Sequence, residues 1–439
     1  MKVIQALGWY GPDASGGTEV YVSDLVAALR RQGIQSGVAA PRTGTTEETY
    51  CYQGTEVYRY PYPGDPLLGE IDSQRAPRGF DCFERWLSAQ KADLYHQHSW
   101  TPGCGLHHLR AAKRLGLPTV LTVHVPGNTC MRGTLMLCGR DVCDGVIEKK
   151  RCGACWAMSR GMPAWGAQGV ARLPMAVSRM ARAILPPSRA TTALTTPIVV
   201  QDHIAHVQEM AHLSDRIVAV SQWLYEVLAA NRIPQNKLSV SRHGLTAAPS
   251  QRSVSAHTSG SLRVGFLGRW DAVKGVHILV DAVRRLPPSV PLELSIHALP
   301  HGDGHQAYER RVRALAAGEP RIHFERPLRH EEVSAALSRY DLLAVPSQWL
   351  ETGPLVVLEA LAAGVPVIGS RMGGIAEWIE DGVNGRLVPF SDVAAWSSAL
   401  SELAAHREQL DRLRQGIRPI RTMESVATEM AALYQGCVR

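Results

Sequence analysis

Residues 346–368 read PSQWLETGPLVVLEALAAGVPVI. The run before them, Asp341–Val345, has the length and apolar content of a buried strand, and it stops at Pro346. A loop carrying Glu351 follows. Pro354 then falls in the first turn of a helix, where its missing N–H costs nothing. Gly364 ends that helix after Leu355–Ala363, and Val365–Ile368 opens the next strand. A strand, a loop, a helix and another strand in so short a span form the repeating unit of a parallel sheet covered by helices.

The same stretch carries chemistry. The N–H groups of Gly353, Leu355 and Val356 point out of the helix N-terminus, a natural site for a phosphate or hydroxyl oxygen. Glu359 lies about 7 Å further along the helix axis than Pro354, at 1.5 Å per residue, so the carboxylates of Glu351 and Glu359 can serve two parts of one ligand. The bland alternative makes Glu351 a surface loop residue and Glu359 a solvated helix position. Against it, Leu355, Leu358, Leu361 and Ala362 make the helix apolar enough to be buried, and an unpaired carboxylate there needs a reason.

Outward from this stretch the pattern repeats. Residues 268–275, GRWDAVKG, stand between a strand (Leu262–Leu267) and a helix (Lys274–Leu286). Arg269 and Lys274 put two cations at a helix start, a binding place for a diphosphate, although an ordinary surface loop is the plain alternative. Further strands read at Leu292–Ile296 and Asp341–Val345, and a helix at Glu331–Leu337. The first half opens with a strand (Lys2–Leu7), a glycine turn (Ser15-Gly16-Gly17) and a helix with Val22, Leu25, Val26 and Leu29 at helical spacing. Apolar segments recur at Thr119–Val123 and Arg216–Val220. Residues 246–261, TAAPSQRSVSAHTSGS, are small, polar and aperiodic, a linker signature. The domain reading is therefore 1–245, with an insertion near 128–190, then the linker 246–261, a second α/β domain at 262–418, and a terminal helix within 419–439.

A chain of 439 residues is too long for one ordinary core and suits two. Its 45% hydrophobic and 20% charged residues belong to a globular protein, not a disordered one. No apolar run is long enough to span a bilayer, and MKVIQALGWYGP reads as a first strand, not a secretory signal. The expected compartment is the cytoplasm. The net charge of +7 is uneven. The segment from Glu148 to Arg189 holds Lys149, Lys150, Arg151, Arg160, Arg172, Arg179, Arg182 and Arg189 against a single acid. Basic residues without interleaved aromatics do not suit nucleic acid. Arg172–Arg189 instead reads as a basic amphipathic helix suited to peripheral contact with an anionic membrane, against the plainer reading of a solvated basic face.

The motifs together resemble glycosyltransferase family 4, retaining enzymes of the GT-B fold, over nearly the whole chain. The resemblance is carried by Glu351 and Glu359 (E-x7-E), Arg269 and Lys274 (R-x4-K), Gly16-Gly17, Thr122-Val123-His124, AVSQWL (219–224) and the pair Gly373-Gly374 before Glu377. It implies two Rossmann-like α/β domains facing across a cleft, with the C-terminal helix crossing back to the first domain. Arg269 and Lys274 would neutralise a departing nucleoside diphosphate. Glu359 would bind ribose hydroxyls, and Glu351 would lie under the sugar and stabilise positive charge at its anomeric carbon. His124 would contact the sugar near the reacting centre. Gly16, Gly17, Gly353, Pro354, Leu355 and Val356 would line the donor. The implied donor is a UDP- or GDP-sugar of hexose type, and the acceptor a hydroxyl of a sugar or lipid-linked molecule in polysaccharide, lipopolysaccharide or glycoconjugate synthesis. No D-x-D metal clamp is present, so catalysis is expected to need no cofactor. This chain departs from the family at Gly353-Pro354, where many members have Phe-Gly, and at Phe324-Glu325-Arg326-Pro327, so the base is not legible. His96 and His98 (YHQH) end a strand where they could touch the acceptor, although a strand-end histidine is more often merely hydrogen-bonded, and Asn128 and Thr129 follow His124. Rival readings are a sugar-nucleotide epimerase of the same shape and a catalytically silent binding protein.

Nine cysteines are present, five of them between 130 and 155. An odd number without a signal peptide argues against a disulfide framework. Cys152 and Cys155 form a C-x2-C knuckle, and Cys130 and Cys143 could complete a four-sulfur structural zinc site, with Cys138 spare. Some family 4 enzymes look similar in this insertion. Free buried thiols are the alternative.

Overall fold

The computed structural model describes residues 1–11, 16–64, 75–101, 103–246, 260–300, 302 and 304–438. The chain forms two compact units, Met1–Arg242 with Met423–Arg439, and His243–Thr422. Most of the expected linker, residues 247–259, lies outside the described residues, as does Ser15 of the first glycine turn.

In the first unit the strands are β1 (Lys2–Leu7), β2 (Gln35–Thr43), β3 (Glu48–Tyr52), β4 (Thr55–Tyr62), β5 (Leu94–His98), β6 (Thr119–Val123), the short β7 (Met136–Leu137) and β8 (Asp141–Val142), then β9 (Arg216–Ala219) and β10 (Leu238–Val240). Eight of them form one sheet in the order β10-β9-β6-β5-β1-β2-β4-β3. All neighbours in it are parallel except β3 against β4. Alternate residues of β1 feed two cores. Val3 and Leu7 join Val22, Leu25 and Leu29 of the first helix, whereas Ile4 and Ala6 join Leu109 and Leu121 on the other face. The C-terminal helix Met423–Val438 belongs to this unit, where Met423, Val426, Met430 and Tyr434 complete the first of these cores.

The second unit contains β11 (Leu262–Arg269), β12 (Leu292–Leu299), β13 (Ile322–Glu325), β14 (Leu342–Val345), β15 (Val367–Ser370) and β16 (Gly385–Val388). They form a parallel sheet in the order β13-β12-β11-β14-β15-β16. Successive residues of β14 again alternate, Leu342 and Ala344 into one core, Leu343 and Val345 into the other. Strand order reverses between β11 and β14, and ligands of open parallel sheets bind beyond the strand carboxyl ends at such a reversal. Arg269 ends β11, and the loop carrying Glu351 follows β14. In the first unit the reversal falls between β1 and β5, so the end of β1 at Leu7 and the end of β5 at His98 meet the same condition.

Two local expectations are corrected. Pro354 is the N-cap of its helix, not a residue of the first turn, because the helix begins at Leu355. The segment 172–189 is not one helix. Met175–Ile184 is helical, Pro186-Pro187 cannot continue it, and a new helix starts at Arg189. Among the described residues no helix is long and apolar enough to cross a membrane.

Candidate active site

In the second unit, the loop after β11 is drawn against the loop after β14. Asp271 caps a short turn, Ala272–Lys274, by accepting from the Val273 N–H at 3.1 Å. Lys274 therefore sits on this turn, and the helix proper, Val276–Arg284, starts after it. Gly275 has φ of +73°, and a Cβ there would meet the Pro346 carbonyl oxygen at 1.8 Å. Only glycine allows so close an approach. Gln348 N–H closes the junction by donating to Val273 O at 2.7 Å.

That junction delivers Lys274 to Glu351. Lys274 Nζ donates to Glu351 Oε1 at 2.5 Å, and Ser347 Oγ donates to the same oxygen at 2.8 Å. The Trp349 ring flanks the ammonium, its centroid 5.5 Å from Nζ. Glu351 is only 6% exposed. Burial pushes its carboxyl up, but the Lys274 charge and the bonds from Lys274 and Ser347 outweigh that and hold it below the usual glutamate range. An ionised carboxylate is thus fixed beside a cation at the sheet's switch point. Arg269 is half-buried at the end of β11.

The helix Leu355–Ala362 begins just beyond. Among the described residues, the N–H groups of Gly353, Leu355 and Val356 donate to no other backbone group, so the positive end of this helix is open to an anion. Glu359 is half-buried on it, with His330 Nδ1 3.7 Å from its Oε1. The Glu351 loop is held from behind by Gly373-Gly374. Gly374 N–H donates to Glu351 O at 2.6 Å, and a Cβ on Gly374 would meet Thr352 O at 2.7 Å.

His243 was not foreseen from the sequence. Its Nδ1–H donates to Gly353 O at 3.1 Å, fixing the tautomer. Burial pushes the ring down to about 4, so it stays neutral beneath the loop. A lone histidine in SRHG, far in sequence from the motif, gives no periodic signal that could have singled it out. His330 is likewise visible only once its helix is placed opposite Glu359.

In the first unit, His124 follows β6 and is buried, with its N–H donating to Ser99 Oγ at 2.9 Å and its ring 4.9 Å from that of Tyr21. A buried chain of side chains orients it. Gln5 Oε1 can only accept, so His98 Nε2–H donates to it at 2.8 Å. His98 is held neutral by burial, which leaves its Nδ1 to accept from His124 Nε2–H at 3.0 Å. Gln5 Nε2 donates to the Tyr434 hydroxyl at 3.3 Å. That hydroxyl lies 2.6 Å from His96 Nδ1, and His96 Nε2 lies 2.7 Å from Thr122 Oγ1. The acceptor contact expected of His96 and His98 is therefore corrected: they are 0% and 1% exposed, and their ring nitrogens are spent inside the protein. Gly16 is the N-cap of the helix Gly17–Arg31 and makes no side-chain cap bond, and the Glu19 carboxylate lies against it, where a Cβ on Gly16 would meet Glu19 Oε2 at 2.1 Å. Asn128 and Thr129 are buried.

Cys130, Cys143, Cys152 and Cys155 line one small cavity with Met136 and Trp156. All nine cysteines are free thiols. Burial raises the thiols of Cys143 and Cys152, and that of Cys155 to about 11. Cys138 donates its N–H to Cys155 Sγ at 3.1 Å. Among the described residues, no three His, Cys, Asp or Glu side chains form a group that could hold a metal ion. As they stand, the four thiols share a cavity without forming a ligand set, and a zinc ion would require them to turn toward one point.

Two Rossmann-like units, the second with a cation–carboxylate pair at its switch point, define the GT-B class of glycosyltransferases. The fold matches solved structures throughout. HepE from Anabaena, in complex with UDP, aligns at a TM-score of 0.64 with 15% identity, covering 99% of this chain and 100% of that one. Sucrose-phosphate synthase from Thermosynechococcus elongatus aligns at 0.66 with 17% identity and 99% of both chains. A model of the glycosyl transferase 4-like domain matches residues 16–207 and one of glycosyl transferases group 1 matches 248–418, and the chain belongs to glycosyltransferase family 4. Among curated relatives, D-inositol 3-phosphate glycosyltransferase of Corynebacterium glutamicum (strain R) is 34% identical over 184 residues, 40% of this chain and 43% of that protein. Glycogen synthase of Mycobacterium tuberculosis is 30% identical over 215 residues, 46% of this chain and 49% of that protein. These alignments span less than half the length of either relative.

Proposed function

We propose that the protein is a retaining glycosyltransferase that moves a hexose-type sugar from a UDP- or GDP-sugar to a hydroxyl of a sugar or lipid-linked acceptor, in cytoplasmic synthesis of a polysaccharide, lipopolysaccharide or glycoconjugate. The observation that carries this is the buried Lys274–Glu351 pair at the switch point, next to an open helix N-terminus. Arg269 and Lys274 take up the charge that develops on the leaving diphosphate, the work a metal clamp does elsewhere. The N–H groups of Gly353, Leu355 and Val356 hold phosphate or sugar oxygens, Gly16 and Gly17 lie near the donor, and Glu359 holds the ribose hydroxyls. Glu351, ionised, stabilises positive charge at the anomeric carbon. The bond from that carbon to the phosphate oxygen breaks as the bond to the acceptor oxygen forms on the same face, and the freed phosphate oxygen takes the acceptor proton. His124, its Nε2–H committed to His98, contacts the sugar near the reacting centre. The HepE structures hold UDP and UDP-glucose, which places UDP-sugars first in a donor panel.

Product analysis tests the reading. Incubation with donor, acceptor and a chelator should give nucleoside diphosphate and a product that keeps the donor's anomeric configuration by NMR. Acceptor-independent conversion of the donor into an isomeric nucleotide sugar would instead establish an epimerase, and an inverted product would remove the same-face mechanism.

A further inference from the structure

Residues 149–201 contain eight Lys or Arg and no Asp or Glu. They fold into short helices, among them Ala164–Ala171 and Met175–Ile184, that lean on the long helix Thr196–Leu213. The helix Met175–Ile184 is inverted relative to an ordinary surface helix. Its inward residues are the small Ser178 and Ala181, Ser178 Oγ donating to Leu194 O at 2.8 Å. Beside them Arg182 pairs with Asp202 of the long helix at 2.6 Å. On the opposite side, Val177, Met180 and Ile184 are 42%, 64% and 72% exposed. Trp165 on the preceding helix is 81% exposed, and Leu185 41%. Five of the eleven large apolar side chains exposed among the described residues thus fall within 165–185. Scattered exposed apolar residues need no explanation, but a concentration of this kind does.

The charge around them says what covers it. Lys149, Lys150, Arg160, Arg172, Arg179 and Arg189 are exposed. Among the described residues none of these six has a carboxylate within ion-pair distance, whereas Arg151 and Arg182 do. A second copy of the chain would bring cation against cation with no acid in the segment to meet it. We propose that this face docks on an anionic lipid bilayer, with Trp165, Met180 and Ile184 entering the acyl boundary and the unpaired arginines and lysines lying among the headgroup phosphates. The proposal is independent of the donor site. It holds a transferase at the surface where a lipid-linked acceptor would be found.

The test is flotation of the full chain with vesicles of phosphatidylcholine alone and of phosphatidylcholine mixed with phosphatidylglycerol, at low and high salt. Binding should be confined to the mixed vesicles and fall as salt rises. Arg172→Glu with Arg179→Glu should weaken it by at least on the order of fivefold per cation. Trp165→Ser with Ile184→Ser should weaken it as well, with the melting temperature unchanged because both side chains already face water. Absence of binding to mixed vesicles overturns the proposal, as does equal binding to both kinds of vesicle. A dimer seen by sedimentation that Trp165→Ser and Ile184→Ser dissolve, without vesicle binding, would assign the face to a second copy instead.

Discussion

Replacing Lys274 by Met removes one charge from a pair whose members are 20% and 8% exposed while keeping the bulk of the stem against Trp349. Breaking a buried pair typically costs about 3–5 kcal/mol. Here Glu351 keeps its bond from Ser347 and the lysine is a fifth exposed, so the loss of stability should be nearer ~2 kcal/mol. Turnover should suffer more, by on the order of a hundredfold, since the lost cation faces charge that appears only as the diphosphate departs. The two losses separate with pH. The pair's contribution is present above the ordinary glutamate pKa and is lost as pH falls through the depressed value that Lys274 maintains. Without Lys274, burial dominates and the Glu351 carboxyl rises, so the acid limb of activity should move toward neutrality. Release of nucleoside diphosphate, followed between pH 5 and 8 in wild type, Lys274→Met and Lys274→Arg, reads all of this, with Arg partly restoring both rate and acid limb. Wild-type turnover in Lys274→Met, with an unmoved acid limb, would refute the role given to the pair.

Three further outcomes concern what supports the sites. Asp341 is 1% exposed, accepts from Arg263 at 2.9 Å, and is also met by Arg407 and Arg414; burial raises its carboxyl, yet these arginines hold it down at about 2. Asp341→Ala should therefore lower stability by about 3 kcal/mol in chemical denaturation, and a loss indistinguishable from zero would show that the cluster is idle. Tyr434→Phe leaves Gln5 Nε2 and His96 Nδ1 without their shared partner and should cost about 2 kcal/mol, read as a lower melting temperature; an unchanged melt would disconnect the C-terminal helix from the histidine chain. His96 and His108 are held down to about 3 by burial, and His98 well below its usual value, so below about pH 6.5 the unfolded chain gains protons that the folded one refuses. Each costs about 1.4 kcal/mol of stability per pH unit until its folded pKa is reached, so the melting temperature should fall between pH 7 and 5, and a flat profile would contradict their burial.

The sequence made legible what is periodic or local. Strands such as Lys2–Leu7 and Thr119–Val123 fall where their apolar runs predict, because a strand buried on both faces must be apolar at nearly every position. The proximity of Lys274 and Glu351, far apart in the chain, followed only from resemblance, since no local rule brings two loops together; Gly275 against Pro346 is what does it. Helix starts were misjudged at Lys274 and Pro354 by the same cause, a tight turn or cap that composition cannot separate from a first helical turn. For His98 the sequence left an acceptor contact and a merely hydrogen-bonded ring both open, because a histidine at a strand end says nothing of its partners; Gln5 and, through it, Tyr434 reached it from distant parts of the chain. The residues 172–189 had the composition of one amphipathic helix, but Pro186-Pro187 stopped it. The unpaired apolar face was visible only once Ser178 and Ala181 were seen to face inward.

The central claim is that the second unit holds a nucleotide sugar through Arg269, Lys274, Glu351 and Glu359, and thermal melting across a panel of UDP- and GDP-sugars tests it most directly. A ligand at a hundred times its Kd stabilises the folded state by about 2.7 kcal/mol, worth roughly 5–10 °C for a unit of this size. At least one donor should raise the melting temperature of the wild type by that order, and of Arg269→Ala with Lys274→Ala by far less. A wild type that none of the nucleotide sugars stabilises, or a double variant stabilised as strongly as the wild type, would contradict the account.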